Sequence, residues 1–257
     1  DFFAKHIISV KISIVIDIVF RIYSQFFMIQ IPKCRTSNFA VVLSGCGRAD
    51  GSEIHEAVCA LLCIENMGCT YQCFAPDIDQ AAVVNHLNNQ AMNEKRNVLV
   101  ESARIARGNI LDLKEFNTKD YDAIIFPGGL GAVTNWCDFA GRGVSCNINT
   151  SVKQVIRKCW EDKVVIGAMC IAPVLIALVL ADKHVKFTLG AGGDTARKLE
   201  ELGAIHEEVG VSDVCIDDKN LVCSTPAYML ATNMLDVCQG AQNMVGAICQ
   251  LIEDKTR

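Results

Sequence analysis

A cysteine at the junction of a β-branched run and an apolar helix is the best-placed nucleophile in this sequence. Val164-Val165-Ile166-Gly167-Ala168-Met169 leads into Cys170, and Ile171-Ala172-Pro173 follows directly. Ala168 and Ala172, two positions either side, let the chain turn sharply and lift the thiol clear of a sheet, as a nucleophile elbow does. Pro173 suits a first helical turn, where its missing N–H costs nothing. A thiol at that helix N-terminus faces unpaired N–H groups and the positive end of the helix dipole. The arrangement predicts a lowered thiol pKa and amides able to bind an oxyanion.

Two further stretches hold groups that such a thiol would need. Pro127-Gly128-Gly129 closes a buried run, and successive glycines permit positive φ and an amide aimed into a pocket. Asp50-Gly51-Ser52-Glu53-Ile54-His55-Glu56 opens a helix after another strand. Glu53 and Glu56 share one face of that helix, while His55 points elsewhere. Either carboxylate can serve as a general base if burial raises its pKa. Asn93, Arg96 and Asn97 either line the pocket or simply begin a helix.

These residues need a parallel sheet to bring them together, and the chain reads that way from Asn38 onward. Strand signals at Phe39–Leu43, Thr70–Ala75, Asp122–Phe126 and Lys163–Met169 alternate with helical signals. The helices are expected from Ser52 or Asp50 as cap to Met67, at 97–107, at Ser151–Trp160, at Pro173–Leu180, from Asp194 as cap to about Leu202, and at Ala227–Ile252. A hairpin is expected around Asp217-Asp218-Lys219-Asn220. The predicted fold is a flavodoxin-like α/β three-layer sandwich, a mostly parallel sheet with helices on both faces. Loops at the carboxyl ends of its strands converge, which would bring Gly128-Gly129 near Cys170.

The chain has 257 residues and a net charge of −5 without charge blocks. That suffices for one sizeable core, with no basic stripe for nucleic acid and no basic amphipathic run for a membrane surface. Fourteen cysteines are many. Cys59, Cys63, Cys69 and Cys73 form two C-x3-C pairs, but they fall on an apolar helix face and in the next strand, without a zinc knuckle. They read as small hydrophobes in a reducing compartment, and no metal is expected. Residues 1–37 differ from the rest. Ile7–Ile31 is apolar but interrupted by Lys11, Asp17 and Arg21, too short of an uncharged span to cross a bilayer. Its alternation also permits a strand. The segment reads as an N-terminal extension, either a targeting presequence or sequence upstream of a start at Met28, and residues 38–257 as one domain.

Several motifs together resemble the ElbB-like branch of the PfpI/class I glutamine amidotransferase-like superfamily. They are Ser44-Gly45-Cys46-Gly47, Asp50–Glu56, Asn93–Val98, Phe126-Pro127-Gly128-Gly129, Met169–Pro173 and Thr225–Met229, in order across residues 38–252. The resemblance implies a nucleophile at Cys170, Glu56 as its carboxylate partner, and an oxyanion pocket from the amides of Gly129 and Ile171. Gly128, Cys46, Glu53 and Asn97 complete the expected pocket. It further implies a homodimer, a small carbonyl metabolite as partner, no cofactor, and a link to isoprenoid biosynthesis. The expected location is cytoplasmic, or mitochondrial if residues 1–37 are a presequence.

One departure narrows the activity. Full-triad members carry a histidine on a strand shortly after the nucleophile helix, and Lys186-Phe187-Thr188-Leu189-Gly190 has none. His184 precedes that strand, and His55 and His86 read as structural. Without the proton shuttle, protease or glutaminase activity is not expected. The expected activity is a cofactor-free glyoxalase, a lyase converting an α-oxoaldehyde such as methylglyoxal to a 2-hydroxy acid. The alternative is a non-catalytic redox-sensing or partner-regulating amidotransferase-like protein.

Overall fold

Strands with both faces apolar belong at the centre of a sheet covered on both sides. Phe39 to Leu43, Ala123 to Phe126 and Val165 to Met169 are fully buried runs of this kind. A computed structural model describes residues 37–256. The readings of residues 1–36 as presequence, upstream sequence or strand lie outside the described residues.

The strands are β1 (Asn38–Val42), β2 (Thr70–Ala75), β3 (Val84–Asn85), β4 (Gln90–Ala91), β5 (Ile110–Asp112), β6 (Ala123–Phe126), β7 (Val165–Met169), β8 (Lys186–Phe187), β9 (Ile205–His206), β10 (Cys215–Asp217) and β11 (Val222–Thr225). The main helices are α1 (Ile54–Asn66), α2 (Val98–Ile105), α3 (Thr150–Glu161), α4 (Pro173–Leu180), α5 (Asp194–Glu200) and α6 (Met234–Thr256). Seven strands form one sheet in the order β10-β11-β7-β6-β1-β2-β5. All neighbours are parallel except β10 on β11.

Strand periodicity sorts the core into two layers. Ala40, Val42, Ile124, Phe126, Ile166 and Ala168 pack with α3 and α4. Phe39, Val41, Ile125, Val165 and Met169 face the other way and pack with α1 and α6. This is the flavodoxin-like α/β sandwich. From β1 the chain grows outward through β2 to β5, then returns beside β1 as β6, so the strand order switches direction between β1 and β6. Crevices outside the carboxyl ends of strands at such a switch are where open α/β sheets bind ligands. Here the two loops are tied together: Leu130 N donates to Arg48 O at 2.8 Å and Gly131 N to Gly51 O at 3.0 Å.

Three helix starts differ from expectation, two of them because another side chain offers the capping oxygen. Glu53 caps α1, its Oε2 accepting from Glu56 N at 2.8 Å. Ser52 Oγ instead accepts from Ser44 N, and Asp50 Oδ2 from Val84 N. Gly193 precedes α5, and Asp194 lies in its first turn, paired with Arg197 and Lys198. α6 begins at Met234, where Asn233 Oδ1 accepts from Asp236 N, while 227–229 is a separate 3₁₀ turn. β8 falls within the strand expected at Lys186–Gly190, whereas the pairing β3–β4, the strand β9 and the edge strand β5 have no counterpart in the sequence reading. Among the described residues no helix is long and apolar enough to cross a membrane.

Candidate active site

β7 ends at Met169, and Cys170 occupies the turn before α4 in the left-handed region, with φ +59°. A side chain with Cβ resists that conformation by roughly 1–2 kcal/mol. The turn is held by Cys170 N donating to Thr225 O at 3.0 Å, at the end of the neighbouring strand β11. The strained elbow aims the thiol at the crevice between the β1 and β6 loops. There the sulfur accepts hydrogen bonds from the backbone amides of Gly129 and Ile171.

Glu56 approaches from the first turn of α1 and has no exposed surface. Its Oε2 accepts from Gly128 N at 2.9 Å and its Oε1 from Tyr228 N at 3.3 Å. It also shares a hydrogen bond with the Cys170 thiol. Burial pushes the Glu56 carboxyl up to about 7, with Glu53 adding to the rise, despite the thiol and two amides that favour the charged form. The Cys170 thiol is raised above its usual range by burial and then by Glu56, which outweigh the Gly129 and Ile171 amides. This reverses the lowered thiol pKa expected from the helix terminus alone. Burial and a facing carboxylate dominate over two partial charges. The resting pair is a thiol bonded to a base, rather than a free thiolate. Cys170 keeps 9% of its surface exposed, and Glu56 keeps none.

Gly128 and Gly129 are required by close approach. A Cβ on Gly128 would lie 2.5 Å from Cys170 Cβ and 2.6 Å from Glu56 Oε2. Gly129 has φ +95°, and its Cβ would meet Glu53 N and Gly51 O at 2.4 Å. That conformation turns the Gly129 amide toward the sulfur, while Gly128 O accepts from Glu53 N at 2.9 Å. Glu53 is therefore at the site's edge, as helix cap and as a charge near Glu56.

Two expected pocket residues are placed differently. Asn97 caps α2, with Oδ1 accepting from Val100 N and Nδ2 donating to Asp77 Oδ1 at 2.7 Å, so both ends of its amide are committed away from Cys170. Cys46 is half-buried among Glu101, Arg104 and Asp50, and burial raises its pKa. The three histidines weighed above do not replace the missing one. His184 Nδ1 bonds Gly203 O, and His86 bridges Val84 O and Ala49 N. His55 Nδ1 lies 2.7 Å from Tyr228 Oη on the exposed side of α1. The sequence reading missed the roles of Thr225 and Tyr228 because both act through backbone atoms, which any residue type supplies. Among the described residues no group of His, Cys, Asp and Glu could hold a metal.

No family model matches the chain. It is 42% identical over 230 residues to the rat (Rattus norvegicus) "ES1 protein homolog, mitochondrial", covering 86% of this chain and 85% of that protein. It is 42% identical to the human "Glutamine amidotransferase-like class 1 domain-containing protein 3, mitochondrial", covering 82% of each. Among solved structures, the "isoprenoid biosynthesis protein with amidotransferase-like domain" of Ehrlichia chaffeensis is 34% identical with TM-score 0.77, covering 83% of this chain and 99% of that one. The chain belongs to the ElbB- and ES1-like branch of the PfpI/class I glutamine amidotransferase-like superfamily.

Proposed function

We propose that the protein is a cofactor-free glyoxalase acting on a small α-oxoaldehyde such as methylglyoxal. The observation that carries this reading is the hydrogen bond between the Cys170 thiol and a buried carboxyl poised near 7. A nucleophile and base in contact, with amide donors beside the sulfur, suit addition to a carbonyl.

As Cys170 sulfur adds to the aldehyde carbon, its proton passes to Glu56 and then to the new oxygen, giving a hemithioacetal. Gly129 and Ile171 amides hold that oxygen while it is negative. Glu56, ionised again, removes the hydrogen from the former aldehyde carbon and the neighbouring carbonyl oxygen takes the electron pair. Reprotonation of the enediolate at the second carbon leaves a thioester. Water then cleaves the thioester, releasing the 2-hydroxy acid and the free thiol. Aldehyde plus water thus balances against the acid, without a redox partner.

The redox-sensing alternative fits less well, because peroxides react with thiolates and Cys170 is held as a thiol. Enzymatic lactate production from methylglyoxal tests the reading. Wild type should produce lactate and Cys170→Ser should lose at least about 10²-fold in rate. Equal rates would contradict it. A mitochondrial location accords with the names of both relatives, residues 1–37 then serving as a presequence. The working form is a homodimer; light scattering should return twice the chain mass, and a monomer mass would contradict this.

A further inference from the structure

A second set of thiols lies further along α1, and the carbonyl chemistry makes no use of it. Cys59 and Cys63 stand one turn apart on α1, the spacing that puts two side chains on one helix face. Both are buried, at 1% and 5% exposure, against α6. Cys238 reaches them from α6 and is itself partly exposed. The Cys63 thiol donates to Cys238 O at 3.9 Å. The Cys59 and Cys63 thiols both lie beside the Cys238 thiol. No disulfide joins them.

The three differ in reach. Cys238 is the most exposed of the three, so a small oxidant meets it first. Burial and the neighbouring Cys238 push Cys59 up to about 12, which keeps it a thiol until a reactive sulfur forms beside it. Both α1 thiols stand beside the Cys238 sulfur, but that of Cys63 is also engaged with a backbone carbonyl, which leaves Cys59 as the resolving thiol. A peroxide-facing thiol beside a buried resolving thiol is the arrangement of a reversible redox pair.

We infer that Cys238 and Cys59 form a reversible disulfide that staples α1 to α6 when the protein meets a hydroperoxide. In the first step the Cys238 sulfur displaces alkoxide or hydroxide from the peroxide O–O bond. Sulfur is oxidised to a sulfenic acid and the peroxide is reduced to an alcohol or water. In the second step Cys59 sulfur attacks the sulfenic sulfur, the S–S bond forms, and the departing hydroxyl leaves as water with the Cys59 proton. A dithiol reductant reverses the bond. Glu56 lies three residues before Cys59 on the same helix, so the staple fixes the segment that carries the carboxylate. This inference stands apart from the carbonyl reading, and its test uses no aldehyde.

The experiment treats the full chain with a few equivalents of hydrogen peroxide, blocks remaining thiols with an alkylating reagent, and maps linked peptides by mass spectrometry without reduction. The expected product is a Cys59–Cys238 linked peptide, abolished by a dithiol reductant, at least tenfold less abundant in Cys238→Ser and in Cys59→Ala, and retained in Cys170→Ser. Full recovery of alkylated Cys238 after treatment would overturn the inference. So would a Cys63–Cys238 link, or a Cys59–Cys238 link that disappears with Cys170→Ser. Circular dichroism of each variant confirms that loss of the link is not loss of the fold.

Discussion

The Cys170 thiol and the Glu56 carboxylate meet directly behind Gly128, in a space that leaves no room for one more carbon. The contact is made by three separate parts of the chain. An elbow after β7 supplies sulfur, the first turn of α1 supplies the carboxylate, and the loop after β6 closes over both. Gly128 N anchors Glu56 Oε2, and the next amide, that of Gly129, points at sulfur.

Replacing Gly128 by alanine puts a methyl group 2.5 Å from Cys170 Cβ. Overpacking of this kind costs about 1–3 kcal/mol and displaces one partner of the pair. The expected outcome is a lower Tm together with loss of lactate formation. A variant with unchanged Tm and turnover would show that the crevice has more slack than the distances indicate.

Glu56 makes stability pH-dependent in a defined direction. Its folded pKa, about 7, lies above the ordinary 4.5, so the folded chain holds this proton more tightly than the unfolded chain. That contribution is complete below about 4.5 and is lost as pH rises through 7. It is on the order of 3 kcal/mol as an upper bound. Urea unfolding of wild type and Glu56→Gln across pH 4.5–8 should show a decline in wild type that the variant lacks. Parallel curves would contradict the raised pKa.

Asn97 is a cap and not a pocket residue. Asn97→Ala should cost about 1 kcal/mol of stability. The KM and kcat for methylglyoxal should stay within twofold of wild type. A tenfold rise in KM with unchanged stability would return Asn97 to the pocket.

How much of this was legible in the sequence follows from which contacts are local. The elbow at Cys170 was visible because its small residues, β-branched strand and N1 proline are contiguous. β2 and α4 matched their expected bounds for the same reason. The choice of Glu56 over Glu53 was not local, since both share a helix face and only the family motif separated them. Thr225 O and Tyr228 N leave no trace in residue type. β3, β4 and β9 are two residues each, too short for any periodicity to register. The sign of the thiol shift was missed because burial is a property of the assembled crevice, while the helix terminus could be read from Pro173 alone. Reading Cys59 and Cys63 as core hydrophobes agreed with their burial, but Cys238 lies 175 residues from Cys63 and no spacing rule connects them.

The central claim is that Glu56 moves the proton for Cys170, and Glu56→Gln separates that role from the availability of the thiol. Removing the charge takes away a cause of the raised thiol pKa, so alkylation of Cys170 at pH 7.5 should be no slower than in wild type. Lactate formation from methylglyoxal should fall by about 10²-fold or more, the usual worth of a positioned acid–base group. The decisive measurement is therefore kcat for lactate formation by Glu56→Gln beside wild type, with the Cys170 alkylation rate as internal control. A collapse in turnover with an undiminished alkylation rate supports the account. Wild-type turnover in the variant would contradict it.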